Sequence, residues 1–117
     1  MDWEGLLGSQ HWDRDRIGEY LRPALAYQAR HQVPIYVGEF SAARWLGDDG
    51  NRYLHDCIRW FEQWGWNWSY HSWREYQGWD AEMSNTDPND LTRYRDTPRM
   101  RLLRGYYRLN AHSGRPR

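Results

Sequence analysis

A single carboxylate, Glu39, stands near the end of the run Val33-Pro34-Ile35-Tyr36-Val37-Gly38-Glu39-Phe40-Ser41, and it is the first residue to consider for chemistry. β-Branched and aromatic residues without helical spacing, with Pro34 near the start where a strand tolerates it, read as a strand buried on both faces. A carboxylate carried into such a strand must be paired, hydrogen-bonded or protonated. Groups of that kind gather where a tuned acid, base or nucleophile is needed. The purely structural alternative is a buried carboxylate held by an arginine, Arg44 or Arg74.

A second set of polar and aromatic residues closes the stretch Trp66-Asn67-Trp68-Ser69-Tyr70-His71-Ser72-Trp73 and runs into Arg74, Glu75 and Trp79. Alternation sets Trp66, Trp68, Tyr70 and Ser72 against Asn67, Ser69, His71 and Trp73, so this too reads as a strand. Trp73 and Trp79 offer flat rings, on which the C–H face of a sugar can stack. Glu75, Asp80 and Glu82 are loop carboxylates whose plain reading is solvated charge, and a lone His71 is as readily a structural residue as a functional one.

These strands need elements to hold them. From Asp13, a good N-cap, the positions Ile17, Tyr20, Leu21, Ala24 and Leu25 follow helical spacing, interrupted by Pro23. After a turn-rich loop from Ser41 to Asn51, with Asp48 or Asp49 as a cap, Leu54, Cys57, Ile58, Phe61 and Trp64 form one stripe that Gly65 ends. A loop from Arg74 to about Asp96 leads to Thr97-Pro98, an N-cap and first-turn pair for a last helix carrying Met100, Leu103, Tyr106 and Tyr107. Residues 1–12 read as an irregular lead-in and 111–117 as a frayed tail. Strand, helix, strand, helix implies parallel pairing. Both strands then end on one edge, which gathers Glu39, Ser41, His71, Trp73 and Arg74. The first strand is expected to turn Ile35, Val37 and Glu39 toward the interior of a barrel and Tyr36 and Phe40 toward helices.

With these elements in order, VPIYVGEFSAARW resembles the nucleophile strand of the cellulase-type glycoside hydrolases of family 5, retaining enzymes built on a (β/α)8 barrel. The likeness extends through SQHWDRDRIGEYLRPALAYQARHQ, YLHDCIRWFEQWGWNWSYHSWREYQGWDAE and RMRLLRGYYRLN. The resemblance implies an α/β fold, the C-terminal part of a TIM barrel with about two parallel strands and three helices, the barrel being incomplete over residues 1–117. It implies a retaining β-glycoside hydrolase of the endo-β-1,4-glucanase type, with Glu39 as nucleophile and no cofactor or metal. The family closes the subsite around the scissile bond with an aromatic at the end of the second strand. His71 stands at that place with Trp73 just beyond, the register between them being open. Arg74 and Glu75 are expected to bind sugar hydroxyls or pair with each other, and Trp79 to stack on a sugar farther out. The family's acid/base glutamate lies in an Asn-Glu-Pro-like motif that is missing here. The isolated chain is therefore expected to be inactive and to need an upstream barrel segment as partner.

Composition narrows the alternatives. At 117 residues the chain suits one modest domain, whereas a complete (β/α)8 barrel typically takes ~250 residues. Sixteen basic residues, all Arg, balance sixteen acidic ones, so no net field draws nucleic acid or an anionic membrane. Nine Trp, nine Tyr and two Phe are the outstanding excess, and most such rings serve packing. The lone Cys57 cannot form an internal disulfide. No stretch reaches membrane-spanning length, and the N-terminus lacks the regions of a secretion signal, which leaves the compartment open, secretion or a periplasmic place of the full-length protein included. No phosphate loop, nucleophile elbow or metal-spaced cluster is present in the sequence. The rival from another class is a non-catalytic carbohydrate-binding chain that uses the same aromatic edge.

Overall fold

The structure is a computed structural model that describes residues 13–113, with side chains as far as Asn110. The lead-in 1–12 and residues 114–117 of the tail lie outside the described residues. The fold mixes helix and strand: α1 (Arg14–His31), β1 (Tyr36–Phe40), α2 (Gly47–Gln63), β2 (Asn67–Tyr70) and α3 (Pro98–Ser113), with single 3-10 turns at Arg44–Leu46 and Gln77–Trp79. β1 and β2 pair in parallel as a two-stranded sheet. The described residues form two compact units, one of 13–41 and 52–71 and the other of 42–51 and 72–113. None of the described helices is long and apolar enough to cross a membrane.

The first unit is built on the sheet and the stripes of α1 and α2. Asp13 caps α1 by accepting from the Arg16 amide at 2.9 Å, and the helix runs on through Pro23, which is exposed. Ile17, Cys57, Phe61 and Trp66 make the buried centre, with Leu21, Ala24 and Leu25 of α1, Tyr53 and Trp60 of α2, Trp64 just after it, Ile35 just before β1, and Val37, Phe40 and Trp68 of the strands packed on it. Burying a side chain of this size contributes roughly 1.5–3 kcal/mol. Burial also pushes the Cys57 thiol up to about 12, although a hydrogen bond with Tyr53 opposes the shift.

The end of α2 follows from Gly65. With φ at 69° it adopts the left-handed conformation, its amide donates to Glu62 O at 3.2 Å, and the Trp66 amide donates to Phe61 O at 2.8 Å. This is a Schellman turn, and its usual apolar clasp is present as the stacked Phe61 and Trp66 rings, 6.0 Å apart. Trp66 then enters β2 already buried, its Nε1–H donating to Gln28 Oε1 of α1 at 2.8 Å.

Several expectations need correction. Asp48 and Asp49 lie inside the first turn of α2 rather than capping it, because the helix begins at Gly47. β1 starts at Tyr36, three residues later than the apolar run suggests: Pro34 has no amide to give, and Val33 is exposed. β2 is shorter as well, ending at Tyr70 rather than reaching Trp73. Tyr107 is exposed, and it is Leu103 that α3 buries.

The second unit has little regular structure besides α3. Thr97 caps that helix, with its hydroxyl accepting from the Met100 amide at 3.0 Å and donating to Ala81 O. Asp80, buried, accepts from the Glu82 amide at 2.9 Å and from Arg93 at 3.1 Å, and Met83 bridges Arg93 in antiparallel fashion.

Two glycines of the first unit separate two kinds of constraint. A Cβ at Gly18 would come within 2.6 Å of the Trp60 ring, whereas one at Gly65 would meet nothing within 4 Å and would only strain the positive φ. Gly18→Ala is therefore expected to destabilise by about 1–3 kcal/mol through overpacking and to alter the near-UV signal of the tryptophans. Gly65→Ala should cost about 1–2 kcal/mol with that signal intact. Urea denaturation with near-UV circular dichroism checks both, and equal spectra for the two variants would refute the distinction.

Candidate active site

The C-terminal edge of the sheet depends on one mismatch in the ladder. Tyr36 pairs with Asn67 and Val37 with Trp68, but the next partners are Phe40 and Tyr70, so three steps along β1 match two along β2. The extra residue is a β-bulge, which breaks alternation in the strand that carries it. Ile35, Val37 and Phe40 consequently all pack on the helix-covered core, while Tyr36, Gly38 and Glu39 are exposed.

Sequence alternation put Ile35 and Val37 on the same face as Glu39, and the structure reverses this. Those two residues face the helices, and Glu39 shares the open face with Tyr36. The carboxylate is exposed, not buried as the apolar run suggests, because helices cover only one face of the two-stranded sheet. With Trp68 packed toward the core, its neighbour Ser69 belongs to the open face, and His71 follows the last residue of β2. The pairing of that face is seen directly where the Tyr36 hydroxyl meets Ser69 Oγ at 2.6 Å.

The expected meeting of strand ends is also seen. The His71 amide donates to Phe40 O at 3.0 Å, which holds His71 beside the residue that follows Glu39. Ser41, the next residue of that edge, has a buried Oγ with no hydrogen-bond partner among the described residues.

The other site residues read from sequence lie in the second unit. Trp73 is 69% exposed, and the Arg74 guanidinium sits 4.6 Å from its ring centroid. Arg74 holds φ at 52°, a conformation that costs a non-glycine residue about 1–2 kcal/mol. Its partner is Glu82, not Glu75: Nε donates to Oε1 at 2.9 Å and an Nη to Oε2 at 3.3 Å, a forked pair. Those hydrogen bonds hold the Glu82 carboxyl below the usual carboxylate range and raise the guanidinium in turn. Of the two roles left open for Arg74 and Glu75, pairing with each other is not the one the fork takes, since its acid stands eight residues on. Glu75 is exposed, and Trp79 is half-buried with its ring edge-on to Tyr76, centroids 4.8 Å apart.

Arg44, considered as a holder of Glu39, serves its own unit. Buried to 1% exposure, it donates from Nε to Gln77 O at 2.8 Å and from its two terminal nitrogens to Ser84 O, Asp87 O and Pro88 O at 2.7–2.8 Å. Four carbonyl dipoles thus solvate a buried cation in place of a carboxylate. Nothing in the local sequence announces this role, since the acceptors are backbone atoms 33 to 44 residues away. Among the described residues no cluster of three or more His, Cys, Asp or Glu could hold a metal ion.

Neither a family model nor a curated protein sequence matches the chain.

The Arg74–Glu82 pair makes a pH prediction. A depressed carboxyl value means that the pair's contribution is present above the ordinary glutamate range and is lost as pH falls through the folded value. In a carboxyl-carbon NMR titration, Glu82 should titrate below that range in the parent chain and return to it in Arg74→Ala. An ordinary Glu82 midpoint in the parent would refute the fork.

Proposed function

We propose that this chain is the C-terminal part of a retaining β-glycoside hydrolase with a (β/α)8 barrel, resembling the cellulase-type enzymes of family 5 and acting on β-1,4-glucan. Glu39 is the nucleophile. The observation that supports the reading best is the bulge in β1, which turns Glu39 onto the open face of a parallel sheet, at the strand end, beside His71. Barrel enzymes keep their reacting groups at the C-terminal ends of parallel strands.

In this mechanism the Glu39 carboxylate attacks the anomeric carbon, forming a C–O bond as the glycosidic C–O bond breaks. The leaving oxygen takes a proton from a second carboxyl group ~5–5.5 Å from the first, and the same group then deprotonates the water that hydrolyses the glycosyl ester. Asp80 and Glu82 do not suit that second role. Arg93 holds the first, and the Arg74 fork keeps the second ionised. In the enzymes that the chain resembles, the donor is the glutamate of an Asn-Glu-Pro-like motif that this sequence lacks, and the reading assigns that role to an upstream barrel segment. His71, Trp73, Arg74, Glu75 and Trp79 are the substrate-binding residues, with the rings stacking on sugar and the charged groups meeting hydroxyls.

The same ion pairs favour a second reading, in which the chain binds carbohydrate without cleaving it. The two readings part in a trapping experiment. The chain is joined to an upstream barrel segment that carries a donor and treated with an activated 2-fluoro glycoside, whose leaving group needs little protonation. Mass spectrometry should find the sugar on Glu39, and Glu39→Gln should abolish labelling and turnover while retaining sugar binding. A label on any other residue overturns the assignment, and binding with no label in the joined protein favours the non-catalytic reading.

A further inference from the structure

We propose that Trp45 and Tyr76 form a fixed stacking platform for a β-linked pyranose chain, an addition to the substrate-binding residues above. The inference rests on the carbohydrate reading of the preceding section. The observation behind it is the place where the two single 3-10 turns of the second unit meet. Trp45 lies in the first, Tyr76 precedes the second, and both rings lie against the buried Gly78. A Cβ at position 78 would overlap the Tyr76 ring and come to 3.1 Å from Trp45 Cη2, so the two rings reach the same point only because residue 78 has no side chain.

Both rings nonetheless face water, Trp45 at 40% and Tyr76 at 46% exposure. They are also held in place. The Arg44 guanidinium, fixed by its four carbonyls, lies 5.8 Å from the Trp45 centroid, and Trp79 stands edge-on to Tyr76 at 73°. Two rings that meet at one residue, each braced by a neighbour and each partly open to water, lose little rotamer entropy when a ligand covers them. Gln77, which follows Tyr76 and is exposed, offers an amide to ring hydroxyls.

Charge selects the ligand class. The exposed Asp48 and Asp49 follow Trp45 in sequence; of the arginines that adjoin the two rings in sequence, Arg44 is buried and bound to four carbonyls, and Arg74 is paired with Glu82. Stacked nucleic-acid bases would bring phosphates toward those carboxylates. A neutral pyranose carries no such penalty, and a β-1,4-linked chain is an extended ribbon that can lie along both rings.

The test titrates the 117-residue chain with a soluble β-1,4-gluco-oligosaccharide, followed by tryptophan fluorescence and calorimetry. Trp45→Ala and Tyr76→Ala should each weaken binding about tenfold. Gly78→Ala, which parts the rings without removing either, should weaken it too. Tyr20→Ala, at an exposed ring of the first unit, should leave it unchanged. Near-UV circular dichroism verifies folding, and Tyr76→Ala, at a largely exposed position, serves if Trp45→Ala fails to fold. Parent-like affinity in the folded ring variants, or no binding by the parent, overturns the platform. So does a result in which these variants lose only self-association, which would assign the rings to contact between copies. Trapping on Glu39 with unaltered binding by the ring variants would overturn the platform alone. A label elsewhere with ring-dependent binding would overturn only the nucleophile.

Discussion

The role proposed for Glu39 depends on one extra residue in β1. Three positions on one strand oppose two on the other, and the step carries Glu39 from the helix-packed face to the open one. With regular alternation Glu39 would follow Val37 into the apolar layer of Ile17, Cys57, Phe61 and Trp66, where an ionised carboxylate is costly. The bulge removes that cost and lets Phe40 fill the place instead, edge-on to Phe61 and Trp68 at 5.1 and 5.6 Å. One local irregularity therefore serves packing and the candidate site together.

The second unit uses a different device. It holds its long connection with two buried guanidinium groups rather than with a sheet or a large apolar centre. Arg44 gathers the carbonyls of Gln77, Ser84, Asp87 and Pro88, and Arg99 takes Asn51 Oδ1 at 2.9 Å along with the carbonyls of Ala42 and Ala43. Planar, permanently charged groups with five donors suit this work, and a lysine, with one compact ammonium, could not reach the same set. Hydrogen bonds to a charged donor contribute roughly 1.5–3 kcal/mol each when the alternative is an unpaired buried carbonyl. The exposed rings of Trp45 and Tyr76 are consequently carried on a rigid base.

Much of the fold was legible in the sequence, for reasons that are local. The stripe Leu54, Cys57, Ile58 and Phe61, the Asp13 and Thr97 caps and the Gly65 stop each depend on residues within a few positions of one another, and each lies where the pattern placed it. Parallel pairing followed from the order of elements, since two strands separated by a helix cannot form a tight hairpin.

What the sequence determined by itself is thus the list of elements, their parallel order and the nearness of Glu39 to His71 at one strand end. Only the tertiary structure decided which way Glu39 faces, because the pairing of two strands fixes the register of a bulge, and Gly38 marks only where β1 can accommodate one. The choice of Glu82 over Glu75 as the partner of Arg74, the commitment of Arg44 to four distant carbonyls and the convergence of Trp45 and Tyr76 on Gly78 share that origin. Each joins groups through the folded path of the loop, and periodicity carries no information about atoms that meet only when the chain closes on itself.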